Sequence, residues 1–319
     1  MPARSLLEAE FEYQRSSQPS VPGFGLPDTT GSGIATTVPA PVNPRINLAA
    51  QPWAQPFEAK NLVASLRFSQ TLANDWTWGA RISRQNIRIN DRLPLPDGCS
   101  SGTNYVYPGF CGNGDFDLYD YRSDNERRNL SYADWYLRGE VKLGATRHEF
   151  SAGLSHTQYA ERFNPQQAYN LVGTGNQFTP VVLPADPTPT SLNTQIDSRT
   201  NEIYLSDAIR FDDTWSLWLG LRHSRLDRSS ERTNGSRATR YEQSFTTPWG
   251  ALGYKPWAGG YAYVSAGSGV ESEVVPNRPS LFTNAGSVLP AMRSTQKEIG
   301  FKQTLAGGGL AHLGRCPFP

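Results

Sequence analysis

The chain has four histidines and three cysteines, the residue types that ligate metals or attack substrates. His148, His156, His223 and His312 are scattered. The nearest two, His148 and His156, are eight positions apart and have no cysteine or carboxylate at metal-ligand spacing, so no metal site is predicted. Asp212-Asp213 and Asp115/Asp117 lie among turn formers and read as turn residues rather than a glycosidase acid pair. The glycine-rich GSGVES (267–272) follows a strand pattern and enters a proline-rich loop, so no helix start is available to cradle a phosphate. Nucleophile-elbow, P-loop and dinucleotide fingerprints are missing. No catalytic residue is assigned, and the chain does not read as an enzyme. Cys99 and Cys111 flank a Gly/Pro/Asn-rich loop. Joined, they would close a short loop worth roughly 3 kcal/mol; the alternative is two free thiols, which an exposed loop holds poorly unless the compartment is oxidising. Cys316, in the terminal RCPFP, has no partner left.

Bulk composition narrows the class. A net charge of +1 supplies no basic footprint for nucleic acid. Charged residues make up 18% of the chain, below the roughly 25% usual in soluble domains. With 11% aromatics the chain is not compositionally disordered. No run of about 18 apolar residues exists to form a membrane helix, but a membrane β-barrel needs only alternation. The N-terminal MPARSLLEAEFEYQ has no secretory apolar core.

Ten segments alternate with period two. The first is 7–13, with Leu7, Ala9, Phe11 and Tyr13 opposite Glu8, Glu10 and Glu12. Segments 62–69 and 76–83 form a hairpin through Ala73-Asn74-Asp75. Beyond Ile82 the apolar parity moves to Ile87 and Ile89, predicting a bulge or a solvated extension. Segments 133–143 and 149–155 form a second hairpin, and 201–211 with 215–223 a third. Segments 245–255, 261–269 and 294–303 complete the set. Asp207 shares the parity of Ile203, Leu205 and Ile209, and the pattern does not account for it.

The connections between these segments alternate long and short. Long ones are expected at about 16–59, 91–128 and 161–198, with short turns between. A Greek-key sandwich has no such rhythm, whereas an up-and-down membrane barrel does. Trp76, Trp78, Trp215 and Trp257 all sit in or beside short turns, which predicts an aromatic belt on one rim. The opposite face of the strands carries Asp134, Arg138, Glu140 and Lys142. Such charges cannot pack dry without partners and suit a wet lumen. The fold expected is therefore all-β, an antiparallel up-and-down transmembrane β-barrel with about ten strands in this sequence; the family resemblance given next implies that it is incomplete.

Several segments resemble one family. NEIYLSDAIRFDDTWSLWLGLRHSRLDR (201–228), SFTTPWGALGYKPWAGGYAYVSAGSGVES (244–272) and LPAMRSTQKEIGFKQ (289–303, with Glu298, Gly300 and Lys302) resemble successive barrel hairpins of TonB-dependent siderophore receptors. LLEAEFEYQ and DFDLYDYRSDNERRN fit the same class, so the resemblance covers essentially 1–305. It implies a partial receptor barrel over 1–305 and a truncated or aberrant tail over 306–319. A plug domain and the final strands of such a barrel are not seen.

The resemblance further implies localisation in the bacterial outer membrane. It also implies binding and import of ferric siderophore complexes with energy from the TonB complex, acting through the missing plug. The partners expected are a ferric siderophore, TonB and outer-membrane lipid; no cofactor is expected, and iron enters only inside the siderophore. The chain alone is not expected to transport. A porin-like channel or a secreted carbohydrate-binding β-protein is the alternative. Aromatic faces and guanidinium donors suit bulky anionic siderophore complexes. The ligand candidates are Trp53, Tyr105, Tyr107, Phe110, Tyr119 and Tyr121, with Phe57, Arg122, Arg127 and Arg128 nearby. The competing reading packs these residues within the loops themselves.

Overall fold

The computed structural model describes residues 4–19, 43, 45–101, 104–106, 111, 113–271, 274–305 and 310–318, with the side chains of 73, 101, 104–106, 305 and 310–318 left aside. Strands β1 (Arg4–Gln18), β2 (Phe57–Thr71), β3 (Thr77–Pro96), β4 (Cys99–Ser101), β5 (Asn104–Val106), β6 (Asp115–Leu143), β7 (Thr146–Arg162), β8 (Gln166–Asn176), β9 (Ser191–Leu192), β10 (Thr194–Arg210), β11 (Trp215–Arg232), β12 (Thr239–Tyr254), β13 (Gly260–Glu271), β14 (Met292–Leu305) and β15 (Leu310–Phe318) account for nearly all regular structure. Eleven of them form one antiparallel meander in the order β1-β2-β3-β6-β7-β10-β11-β12-β13-β14-β15. Among the described residues β1 and β15 stand at the two ends of this sheet and do not pair with each other.

All ten segments expected from alternation are strands, and β15 adds an eleventh from residues 310–318. It pairs with β14 from Leu305↔Leu310 to Lys297↔Phe318. Pro317 is tolerated there because β15 is an edge strand. The long connections are shorter than expected. β3 and β6 stay paired from Asp91↔Ser123 out to Pro96↔Leu118, and β8 lies against the outer part of β6. Outside lipid no face must be apolar, so pairing continues where the period-two signal fades. Ile87 and Ile89 lie on the paired stretch between the apolar band and a bulge, Ile89 being buried. The bulge falls farther out, between Ile89 and Asp91, where β6 carries the extra residue and Asn125 takes a left-handed φ of 58°.

One face of the sheet is apolar in a defined band. On β6 it runs from Ala133 to Leu143 through Trp135, Leu137 and Val141. At ~3.3 Å per residue and a tilt near 40°, these ten steps span roughly 25 Å of height, the apolar height of an outer-membrane barrel. The tilt can be read from the register. Leu62 on β2 lies in the same cross-strand row as Arg240 on β12, six strands away, yet the apolar rim on β12 is Pro248. A fall of eight residues over six strand spacings of ~4.8 Å corresponds to about 40°, within the range for barrels. Aromatic side chains gather at the short-turn end: Trp78 against Phe68, Trp215 against Tyr254 and Trp257 against Phe301. Trp76 covers Gly139.

Asp207 finds its partner across the sheet. His148 Nδ1 lies 2.7 Å from Asp207 Oδ2, and the ring stacks on Phe150. The contact gives one oxygen of this polar intrusion a hydrogen-bond partner within the apolar band.

The other face is polar. Arg67 pairs with Glu8, Arg147 with Glu140 and Arg210 with Glu149. Glu202 accepts from Ser155 at 3.2 Å and Ser224 at 2.7 Å. Two glycines on this face, Gly79 and Gly153, are overlaid by the rings of Tyr136 and Tyr204, where a Cβ would collide. Such aromatic-over-glycine packing pins register in strongly bent sheets.

Candidate functional site

The long-connection end of the sheet carries the candidate site. Cys99 and Cys111 are bonded, with Cα atoms 5.6 Å apart, so the disulfide alternative holds rather than two thiols. The bridge anchors the β4–β5 hairpin to the start of β6. Asp117 completes the anchor: its carboxylate accepts from the Ser100 amide at 3.2 Å and the Ser100 hydroxyl at 2.7 Å. Its backbone joins Asp97 and Gly98.

Three outer segments then lock together around Asp120, which is fully buried. Arg122 donates to both of its oxygens, Nε at 2.8 Å and Nη2 at 3.2 Å. The amide of Asp186 donates to Asp120 Oδ2 at 2.9 Å, so the connection after β8 hangs from β6. The Arg122 guanidinium also lies 5.8 Å from the centre of the Trp53 ring. Trp53 Nε1 donates to the Leu183 carbonyl at 2.9 Å, and Gln51 bonds both the Val181 carbonyl and the Leu183 amide. Segments 45–56, 97–100, 113–122 and 176–190 thus form one polar-stitched unit. A buried charge held by three donors is strongly tied to its place.

Tyr119 stacks on Tyr169 with centroids 4.7 Å apart, and Tyr121 meets Tyr169 edge-on at 6.3 Å. The Tyr169 hydroxyl donates to Asp97. Burial and the negative Glu126 push the Tyr121 phenol above its ordinary pKa. Burial likewise pushes Glu126 up, against the pull of Ser123 and Arg128. Asp186 is held below the usual carboxylate range by hydrogen bonds from the Thr188 side chain and backbone.

Of the six ligand candidates, the structure brings Trp53, Tyr119 and Tyr121 into this one unit. Tyr105 lies on β5, with its side chain outside the described residues, as are Tyr107 and Phe110 entirely. Arg122 is an internal anchor, and Arg128 pairs with Glu126 and Glu161. Arg127 is exposed on the apolar-band side of the sheet, and Phe57 opens β2 opposite Gln18. Asp120, Tyr169, Gln51 and Asp186 are hubs that spacing did not reveal. The one signal was a short alternation, Phe116–Leu118–Asp120, in which an aspartate takes an apolar position.

The arrangement is a rigid, aromatic and charge-bearing outer platform on a tilted antiparallel wall. The family model described as "TonB dependent receptor-like, beta-barrel" matches residues 3–313. The chain belongs to that family, and it is β-barrel wall of a bacterial outer-membrane receptor. Solved structures share the fold. The siderophore receptor PiuA of Acinetobacter baumannii matches with a TM-score of 0.72 at 16% identity, over 99% of this chain and 47% of its own. BauA, the ferric preacinetobactin receptor of the same species, matches at 0.70 and 18%, over 98% and 43%. The ferric-catecholate import receptor Fiu of E. coli matches at 0.74 and 13%, over 99% and 48%. The chain therefore spans less than half the length of these structures. No curated protein matches it.

Proposed function

We propose that this chain forms wall and outer vestibule of a receptor that binds ferric siderophore complexes and imports them with energy from TonB. The observation carrying this reading is the family match across 3–313, with a disulfide-clamped aromatic platform at the long-connection end. The barrel's share of the work is recognition, with no bond made or broken. Aromatic faces and guanidinium groups would meet the bulky anionic complex; a plug domain outside these residues would couple to TonB. Transport requires that β1 and β15 be paired by further strands, because an open edge in lipid leaves backbone groups unsatisfied.

In a receptor that carries this chain with its plug and closing strands, Tyr105→Ala with Tyr107→Ala should lower siderophore-dependent growth under iron limitation. Surface display should be unchanged. Full uptake by the displayed double variant would defeat the vestibule role.

A further inference from the structure

The apolar band ends abruptly at its long-connection rim, and beyond that rim the same face turns basic. In the first two outward-facing positions beyond the rim, from β1 to β12, stand Arg15, Lys60, Arg84, Arg199 and Arg225. The one carboxylate among these positions is Glu58, which Arg15 meets at 3.4 Å. Asp197, Asp227 and Glu242 enter one position farther out.

One cross-strand row is extreme. Arg15 lies opposite Lys60, Lys60 opposite Arg88, Arg88 opposite Arg127 and Arg127 opposite Arg162. Five adjacent strands thus place five cations side by side on one face. Directly opposed residues sit about 5 Å apart at Cβ, and like charges so placed destabilise a sheet. The end members have carboxylate partners, Glu58 for Arg15 and Asp197 for Arg162. Lys60 and Arg88 make no ion pair among the described residues, and Arg127 reaches only the Asn125 side-chain oxygen, at 3.3 Å. Lys60, Arg88 and Arg127 line a groove of about 470 Å³ whose floor includes Tyr13 and Leu62, the last apolar positions of the band.

Because the strands tilt by about 40°, this row does not run level with the membrane. It starts one position above the rim at Arg15 and Lys60. At Arg88 and Arg127 it stands three positions above, a climb of roughly 10 Å. Short turns mark the periplasmic end of such barrels, so the row lies at the outer leaflet.

We propose that this row binds an anionic outer-leaflet lipid whose headgroup carries more than one phosphate, with its acyl chains along Tyr13 and Leu62. Basic clusters beside a membrane surface attract anionic headgroups. A single-phosphate headgroup would reach only the lower cations, whereas a larger polyphosphorylated one matches the climb.

The test uses the full chain in detergent micelles, titrated with bis-phosphorylated lipid A, the same lipid dephosphorylated, and phosphatidylglycerol, with bound lipid counted by native mass spectrometry. Lipid A should bind at least tenfold more tightly than either of the others, and raising salt should weaken it. Lys60→Gln with Arg88→Gln should remove most of that preference. Arg147→Gln with Arg210→Gln, at the short-turn end, should leave it intact. Equal binding of phosphorylated and dephosphorylated lipid would overturn the proposal, as would a folded K60Q/R88Q chain that keeps the preference. Phosphatidylglycerol binding as tightly as lipid A would overturn the multi-phosphate assignment. If K60Q/R88Q loses its strand signal, the three lipids and the salt titration on the unaltered chain decide alone.

Discussion

Asp120 is the residue whose loss should do most to loosen the outer platform. Its carboxylate is fully buried and takes three hydrogen bonds, two from Arg122 at 2.8 and 3.2 Å and one from the Asp186 amide at 2.9 Å. Removing one member of a buried ion pair costs about 3–5 kcal/mol, since the other charge is stranded. Arg122 keeps 19% side-chain exposure and the Trp53 face, so Asp120→Ala belongs at the lower end, about 3 kcal/mol. At 1.4 kcal/mol per tenfold, that is roughly a hundredfold rise in opening of the 183–188 segment. Hydrogen exchange followed by mass spectrometry reads it directly. The Leu183 and Asp186 amides should exchange about a hundredfold faster, while β10–β11 amides keep their protection. Asp120→Asn, which retains one acceptor oxygen, should fall between. Unchanged exchange over 183–188 in Asp120→Ala would refute the assignment of Asp120 as the hub.

Other polar groups give two further expected outcomes. In a receptor whose further strands pair β1 and β15, His148→Leu should leave the Asp207 carboxylate without its partner in the apolar band and reduce the fraction of receptor that inserts into lipid vesicles, as read by protease protection. His148→Leu with Asp207→Leu should recover insertion, because an apolar pair has no charge to desolvate. Glu126 has a folded pKa raised by burial, so its contribution is fully present below the unfolded carboxylate pKa and is lost as pH rises through the folded value. Glu126→Gln should therefore flatten the pH dependence of local exchange around Ser123–Arg128 and slow that exchange at neutral pH; faster exchange in the variant would contradict the burial cost.

The alternation of Leu7, Phe11 and Tyr13 with Glu8, Glu10 and Glu12 is legible without coordinates, because a strand between lipid and water must alternate. So are the short turns at Ala73–Asp75 and Gly144–Ala145, whose residues tolerate a left-handed backbone: Asn74 and Asp75 both have φ 60°, and Gly144 φ 61°. The outer reaches of β3 and β6 were hidden. Beyond the membrane, pairing is carried by backbone hydrogen bonds, which leave no period in side-chain type. A bulge at Asn125 then reverses the alternation, so the positions of Asp120 and Tyr121 do not follow from those of Trp135 and Ala133.

Local pattern by itself determined the class of this protein: antiparallel strands, an apolar face, a wet face and long outer connections. These depend on neighbours one or two residues apart. The closing of Asp120 upon Asp186 depends on contacts 66 residues apart. The alignment of Arg15, Lys60, Arg88, Arg127 and Arg162 depends on the register of five strands at once. A one-residue slip in any of them would turn its cation to the other face. Only the assembled sheet sets that register, so only the tertiary structure could decide which charges stand together and toward which solvent they point.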